Sequence, residues 1–208
     1  MAEYPNGQAI WSFLVAKIGN EYGVAGLMGN LYWESGLIPY RKQWDYSAGY
    51  TVSLQYTEDI NTGVITRAQF VSDRIGYGLA QWTYPDRKAA LYDRWKNTGG
   101  SIGDLYLGLN YLWWELNYFN NGEYKPILTK LQNATSIRYA SDVVLTEFER
   151  PEKVSEAVKQ QRENTSTDIY NTYHGTSGGD ITPFPVSKRK RLKSAERFLI
   201  MTTLFNRR

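Results

Sequence analysis

The 208-residue sequence predicts an α+β fold that is mainly helical and contains one small antiparallel β-hairpin. Apolar residues recur at helical spacing near the start of the chain and through most of its second half. By contrast, residues 51–66 contain two short runs rich in β-branched residues on either side of a turn. The only clear linker begins at Gly175, so one main domain of residues 1–174 is expected.

The first 35 residues are expected to form two helices. Apolar residues stand at positions 10, 13, 14 and 18, and Gly19-Asn20 interrupts the run. A second helix is expected from Val24 to Glu34, with Leu27 and Leu31 on its apolar face and Gly36 as the stop signal. Glu34 then lies beside the buried stripe, where a carboxylate without a partner or a use is expensive to bury.

The hairpin is expected in the segment that follows. Its strands are Thr51–Tyr56 and Val64–Thr66, with Asp59–Gly63 as the turn between them. From Pro85 onward the pattern becomes helical again, and Pro151 separates the last two helices. The five helices expected in this part are residues 85–96, 102–119, 125–132, 136–149 and 152–173.

The composition restricts the chemistry that the chain can perform. It contains no Cys and a single His, His174, which lies in a Gly-rich stretch. Disulfides, thiolate sites and multi-His zinc sites are therefore excluded, and a Ser–His–Asp triad would rest on a poorly held base. We expect neither a metal nor another cofactor. In an enzyme of this composition, carboxylates must carry the acid–base chemistry.

Charge is unevenly distributed along the chain. The net charge is +3, but residues 186–208 alone contribute +7, which leaves −4 for the remainder. A mildly acidic body with a basic tail is not the pattern of a nucleic-acid-binding protein. No segment is apolar and long enough for a bilayer, and residues 1–6 do not resemble a signal peptide. We expect no stable membrane insertion, and synthesis in a cytoplasm without a signal peptide.

Glu34 is the strongest candidate for a catalytic group. It stands at a predicted helix end directly after Tyr32 and Trp33, and Trp44 and Trp82 are expected nearby. Apolar surroundings raise the pKa of a carboxyl group, which then stays protonated near neutral pH and can protonate a glycosidic oxygen.

Three blocks in this order resemble the phage tail lysozyme family and, more distantly, soluble lytic transglycosylases and goose-type lysozymes. The blocks are Glu34–Gly36, Gly76–Thr83 and Phe148–Pro151, which read Glu-Ser-Gly, Gly-Tyr-Gly-Leu-Ala-Gln-Trp-Thr and Phe-Glu-Arg-Pro. The combination is specific, whereas any one block alone is weak evidence. The resemblance extends from about residue 10 to residue 173 and implies a lysozyme-like fold.

The resemblance also implies roles for individual residues. Glu34 matches the catalytic acid of the family, and Gln81 matches a position that lines the substrate cleft. The candidate substrate-binding residues are Gln81, Trp82, Tyr77, Gly78 and Trp44. Gln81 could equally hydrogen-bond its own turn, and the two tryptophans could equally support the core.

A second catalytic carboxylate is not defined by the sequence. The candidates between Glu34 and the Gln81 turn are Asp45, Glu58, Asp59 and Asp73, of which Asp73 and Asp45 rank first. Glu149 and Glu115 are interpreted as structural. A lytic transglycosylase needs no second carboxylate, because a hydroxyl of the sugar itself attacks the anomeric carbon.

The function implied by the resemblance is that of a tail-associated muramidase. It would cut the bond between N-acetylmuramic acid and N-acetylglucosamine of bacterial peptidoglycan during host wall penetration. The partners expected are peptidoglycan and other virion tail proteins, and the location expected is the phage tail, after synthesis in the host cytoplasm. The alternatives are a lytic transglycosylase, an endolysin, and a non-catalytic wall-binding or plugging tail protein.

The C-terminal region is expected to be separate from this domain. Residues 175–186 are predicted to be a flexible linker, and residues 187–208 a basic, amphipathic extension. The extension could dock on a virion partner, attract anionic wall polymers or a membrane surface, or pack on the main domain.

Overall fold

The computed structural model describes residues 4–151 and 154–176, and these residues are mainly helical. The described part contains nine α-helices: α1 Gly7–Ile18, α2 Glu21–Ser35, α3 Thr51–Thr62, α4 Arg67–Ser72, α5 Pro85–Thr98, α6 Leu105–Tyr118, α7 Lys125–Gln132, α8 Ile137–Val143 and α9 Glu156–Tyr173. A π-helical segment, Val144–Glu149, continues α8. Two short 3₁₀ turns lie at Ala48–Tyr50 and Phe119–Asn121. None of the described helices is long and apolar enough to span a bilayer.

Helix α2 is the centre of the fold. It packs against α1, α7, α8 and α9, and most of its residues are buried. Three glycines permit the close approach: a Cβ at Gly23 would lie 2.2 Å from a Leu131 backbone oxygen, and one at Gly26 would lie 2.7 Å from Ala140 C. A Cβ at Gly29 would lie 2.0 Å from the Ser166 hydroxyl on α9. The neighbouring helices therefore fix the position of α2.

Both ends of α2 match the sequence signals. The Asn20 side chain accepts a hydrogen bond from the Gly23 amide at 3.0 Å, which caps the first turn. Gly36 ends the helix with φ of 64°, a left-handed conformation that favours glycine. Glu34 therefore lies in the last turn, as the sequence predicted.

The predicted β-hairpin is wrong. Residues 51–62 form helix α3, and residues 64–66 are the approach to helix α4. The buried residues of α3 stand at positions 53, 56, 57 and 60, which is the spacing of one helix face, whereas Val52 and Leu54 point to solvent. Helical burial thus outweighed the β-propensity of the branched residues. Thr66 and Gln69 form a capping box at the start of α4, a signal that the sequence carried.

The helices of the second half are confirmed with shifted ends. The predicted bounds 125–132 agree with α7, and helix α5 begins at Pro85 as expected. Helix α6 begins at Leu105, three residues later than predicted, because the Asp104 carboxylate caps the amides of Tyr106 and Leu107. Helix α9 likewise begins at Glu156, where Ser155 caps the amide of Val158.

The only β-type pairing in the described residues consists of two isolated antiparallel bridges, Lys42 with Tyr77 and Tyr77 with Trp82. Backbone hydrogen bonds from Gln43 to Gly76 and from Gly78 to Arg41, each 2.8 Å long, strengthen this contact. They hold the irregular segment 41–45 beside the turn 76–82.

The division of the chain into domain, linker and extension stays a prediction. Most of the predicted linker, residues 177–186, and the whole basic extension lie outside the described residues.

Candidate active site

An open cleft of about 500 Å³ lies at the C-terminal end of α2. Its walls come from the end of α2, the segment 41–46, the turn 80–84 and the end of the π-helical segment. The lining includes Glu34, Trp44, Tyr46, Gln81, Tyr84 and Glu149. The structure therefore brings all three sequence blocks of the predicted site to one cleft.

Glu34 is half-buried at this cleft, with 27% of its side chain exposed. Its carboxylate lies 3.3 Å from Nη2 of Arg162 on α9. Nη1 of the same guanidinium donates to the backbone oxygen of Asn30, at 3.1 Å. Arg162 is thus held against the last turns of α2, and it fixes the position of the Glu34 carboxyl group.

Glu149 lies next to Glu34 and is more deeply buried, with 10% of its side chain exposed. One of its oxygens is 3.3 Å from Nη2 of Arg162, the atom that also contacts Glu34. Neither Glu149 oxygen accepts a hydrogen bond of good geometry from the described residues. Burial, reinforced by the negative charge of Glu34, raises the pKa of Glu149 above its ordinary value, against the opposing effect of Arg162.

Sequence reasoning interpreted Glu149 as structural and did not identify Arg162. The Phe-Glu-Arg-Pro block was a signal for Glu149, because it belongs to the same resemblance as Glu34. No local signal marks Arg162, whose contact with Glu34 joins residues 128 positions apart.

A buried polar cluster lies beneath the cleft. The Glu115 carboxylate is fully buried and accepts hydrogen bonds from Arg87 Nε at 2.6 Å and from Trp82 Nε1 at 2.9 Å. Trp82 is therefore a core residue with 1% exposure, and its ring offers no surface to a ligand. Its ring packs edge-on against Tyr111, and this core supports the turn above it.

Asp45 and Asp73, the first-ranked candidates for a second catalytic carboxylate, do not line the cleft. Asp45 is buried, which opposes its ionisation, but hydrogen bonds from the hydroxyls and amides of Ser47 and Ser53 outweigh this and lower its pKa. Asp73 accepts hydrogen bonds from Tyr56 and the Ile75 amide and pairs with Lys88. Each carboxylate thus fixes a loop.

The remaining predicted residues fall into two groups. Gln81 lines the cleft in a left-handed conformation, with φ of 45°, and its amide donates to the backbone oxygens of Arg41 and Gly78. Trp44 also lines the cleft and is 66% exposed. Tyr77 is fully buried, with its hydroxyl 2.7 Å from that of Thr57, and Gly78 forms the turn with φ of 79°.

Exposed aromatic rings form the rim of the cleft. Trp44, Tyr46 and Tyr84 are 66–86% exposed, and all three line it. Flat apolar faces with a polar edge suit the rings of sugars. No group of three or more Asp, Glu or His side chains in the described ranges could hold a metal ion.

The fold and the cleft together define a mainly helical protein with two adjacent carboxyl groups in a cleft that exposed aromatic rings line. The sequence pattern of the phage tail lysozyme family matches residues 5–173, so the chain belongs to this family. Membership implies a peptidoglycan-degrading function associated with the phage tail. Comparison with curated proteins and with solved structures gave no match, and the lysozyme-like character of the fold stays a prediction.

Proposed function

We propose that the chain is a phage tail muramidase that cleaves the bond between N-acetylmuramic acid and N-acetylglucosamine during host wall penetration. Glu34 is the general acid in this proposal. The observation that carries it is the position of Glu34 at the cleft, half-buried on a helix end that four neighbouring helices fix. A general acid must be held rigidly and must also reach the substrate, and this position satisfies both conditions.

The first step is proton transfer from Glu34 to the glycosidic oxygen as the bond from this oxygen to the anomeric carbon breaks. The departing sugar leaves as an alcohol, and positive charge develops on the ring that remains. Trp44, Tyr46 and Tyr84 can stack on neighbouring sugars of the glycan strand, and Gln81 shapes the cleft between them. Internal contacts favour structural roles for Asp45 and Asp73, and for the buried Tyr77 and Trp82.

A lytic transglycosylase is the second candidate, and one observation favours it. Among the described residues that line the cleft, Glu34 and Glu149 are the only carboxylates. Both contact the same nitrogen of Arg162, and the two carboxyl groups lie next to each other, so no sugar ring fits between Glu149 and Glu34. Hydrolysis commonly uses a carboxylate on the opposite side of the bond, whereas attack by a hydroxyl of the sugar does not require one.

The test is digestion of purified Gram-positive peptidoglycan, with products identified by mass spectrometry. We expect Glu34→Gln to lose at least about 100-fold of the rate, since a positioned general acid contributes about 10²- to 10⁴-fold. Glu147→Gln is the matched control, because Glu147 lies near the same segment end but pairs with Lys130 at the surface.

The products separate the candidates. Reducing ends indicate a hydrolase, and anhydro-muramic ends indicate a transglycosylase. A fully active Glu34→Gln variant would contradict the assignment of the acid. If the wild-type protein releases nothing from several wall types but sediments with them, the non-catalytic wall-binding protein is the better explanation.

A further inference from the structure

Glu34, Glu149 and Arg162 form a compact group in which Arg162 contacts both members of a carboxyl pair, Glu34 and Glu149. With both carboxyl groups ionised, the group would carry a net charge of −1. Glu149 would then hold its charge at a site where 90% of its side chain is shielded from water and neither oxygen accepts a good hydrogen bond from the described residues. Burial of an ionised carboxylate without hydrogen bonds and without a counter-charge of its own is strongly unfavourable.

Among the described residues, the other cations near Glu149 do not pair with its carboxyl group. Arg87 on α5 also lines the cleft, but its guanidinium is bound by Glu115. Arg150 contacts Glu123 and the Glu147 backbone oxygen, and Lys130 on α7 pairs with Glu147. Arg41 also lines the cleft, but its guanidinium lies over the ring of Tyr50 at 4.4 Å and forms no ion pair with Glu34 or Glu149 in the described structure. Arg162 is therefore the one cation placed to neutralise the pair among these neighbours.

One bound proton makes the group neutral. Two carboxyl groups in contact with a single guanidinium nitrogen are a setting in which simultaneous ionisation is opposed by charge repulsion and by burial. The raised pKa of Glu149 agrees in direction with this charge count. The proton then belongs to the pair and not to one residue.

We propose that Glu34 and Glu149 share one proton at neutral pH, with Glu149 as the positioning residue that keeps this proton available to Glu34. This inference rests on the proposed function, in which Glu34 is the acid. Glu34 is the more exposed member of the pair, so it faces the substrate and delivers the proton.

The proton balance of a turnover follows directly. The pair begins with one proton, and Glu34 transfers it to the glycosidic oxygen as the bond to the anomeric carbon breaks. Both carboxyl groups are then ionised, and the additional negative charge lies beside the positive charge developing on the sugar. The attacking group, water or a sugar hydroxyl, loses a proton as it bonds to the anomeric carbon, and this proton restores the pair.

The first test is the pH–activity profile of Glu149→Gln, with Glu147→Gln as the control. In Glu149→Gln, release of the remaining proton leaves a group with no net charge, whereas in the wild type it leaves a net charge of −1, so charge repulsion opposes the release less strongly. We expect the alkaline limb of the profile to shift toward lower pH by at least about one pH unit. At a given pH on that limb, the activity would then be about tenfold lower than that of the wild type. The ratio of the Glu149→Gln rate to the wild-type rate should therefore fall as the pH rises, and Glu147→Gln should follow the wild-type profile.

A purely structural role for Glu149 gives a different result, because it would lower the rate equally at every pH without moving the limb. That outcome, or an unchanged profile, would overturn the inference while leaving Glu34 as the acid.

A second measurement does not depend on activity or on the folding of a variant. The carboxyl carbons of ¹³C-labelled glutamate in the wild-type protein can be titrated by NMR. We expect one carboxyl signal that titrates above about pH 6, well above the ordinary range of glutamate. Its absence from the wild-type titration would refute proton sharing. A fully active Glu34→Gln variant would instead refute the proposed function, and the titration would still report on the pair.

Discussion

Replacement of Gly26 by Ala tests whether the close approach of α2 to α8 holds the fold together. A Cβ at this position would lie 2.6 Å from the Ala140 Cβ and 2.7 Å from both Ala140 C and Ser141 N. Carbon atoms in good contact are about 3.5–4.0 Å apart, so the two helices must separate by about 1 Å. Two of the three atoms belong to the backbone, and a rotamer change cannot relieve the clash.

The expected destabilisation is the sum of three effects. Overpacking of a tight core costs about 1–3 kcal/mol. The separation also stretches the hydrogen bonds from Asn30 to Ser141, which are already 3.1 and 3.2 Å long, at a cost of about 1 kcal/mol. Ala in place of Gly inside a helix returns about 1 kcal/mol. The free energy of unfolding should therefore fall by about 2 kcal/mol, which lowers Tm by about 4–8 °C for a domain of this size.

The assay is urea and thermal unfolding followed by circular dichroism, and Gly108→Ala is the control. Gly108 is also a buried glycine inside a helix, but a Cβ there would lie 3.5 Å from Leu79 Cδ1, an ordinary contact. This control should equal or exceed the wild-type stability by up to about 1 kcal/mol, the helix-propensity gain. If Gly26→Ala is as stable as Gly108→Ala, the close contact between α2 and α8 does not stabilise the fold.

Two further predictions concern buried carboxylates outside the cleft. Glu115→Gln leaves the Arg87 guanidinium buried without its counter-charge, so the free energy of unfolding measured in urea should fall by about 3–5 kcal/mol. A decrease below about 1 kcal/mol would contradict a stabilising role of this ion pair. Asp45 has a lowered pKa, so its stabilising effect is complete above the ordinary Asp value of about 4 and is lost as pH falls further. The difference in free energy of unfolding between wild type and Asp45→Asn should therefore decrease as the pH falls below about 4. A difference that does not change with pH would show that Ser47 and Ser53 do not stabilise the ionised form of Asp45.

The helices were predictable where local signals are strong. Asn20 and Gly36 mark both ends of α2, and Pro85 marks the start of α5. The hairpin prediction failed at Thr51–Tyr56 because this short run contains β-branched residues, which favour a strand. The helical spacing of the buried positions becomes clear only when Thr57 and Ile60 are included.

The site was predictable only in part, for a related reason. Glu34 and Gln81 lie in motifs that can be recognised along the chain, and both line the cleft. Arg162 lies on a mainly polar helix with no local motif, and its role depends on the packing of α9 against α2. The deeper burial of Glu149 likewise follows from tertiary packing, which no local pattern encodes. Asp45 and Asp73 ranked high because they are near the motifs in sequence, but their oxygens are used by Ser53, Tyr56 and other neighbours.

The contact between α2 and α9 also sets the order in which the site can be completed during synthesis. Arg162 is translated 128 residues after Glu34, and it reaches the carboxyl pair only when α9 docks on a helix made near the start of the chain. A nascent or C-terminally truncated polypeptide that ends before residue 162 has both glutamates but lacks their shared cation. Local detachment of α9 in the finished protein would have the same effect, and the opening of one segment can cost less than global unfolding. The cleft therefore acquires its full set of charged groups only when α9 has been synthesised and has docked on α2.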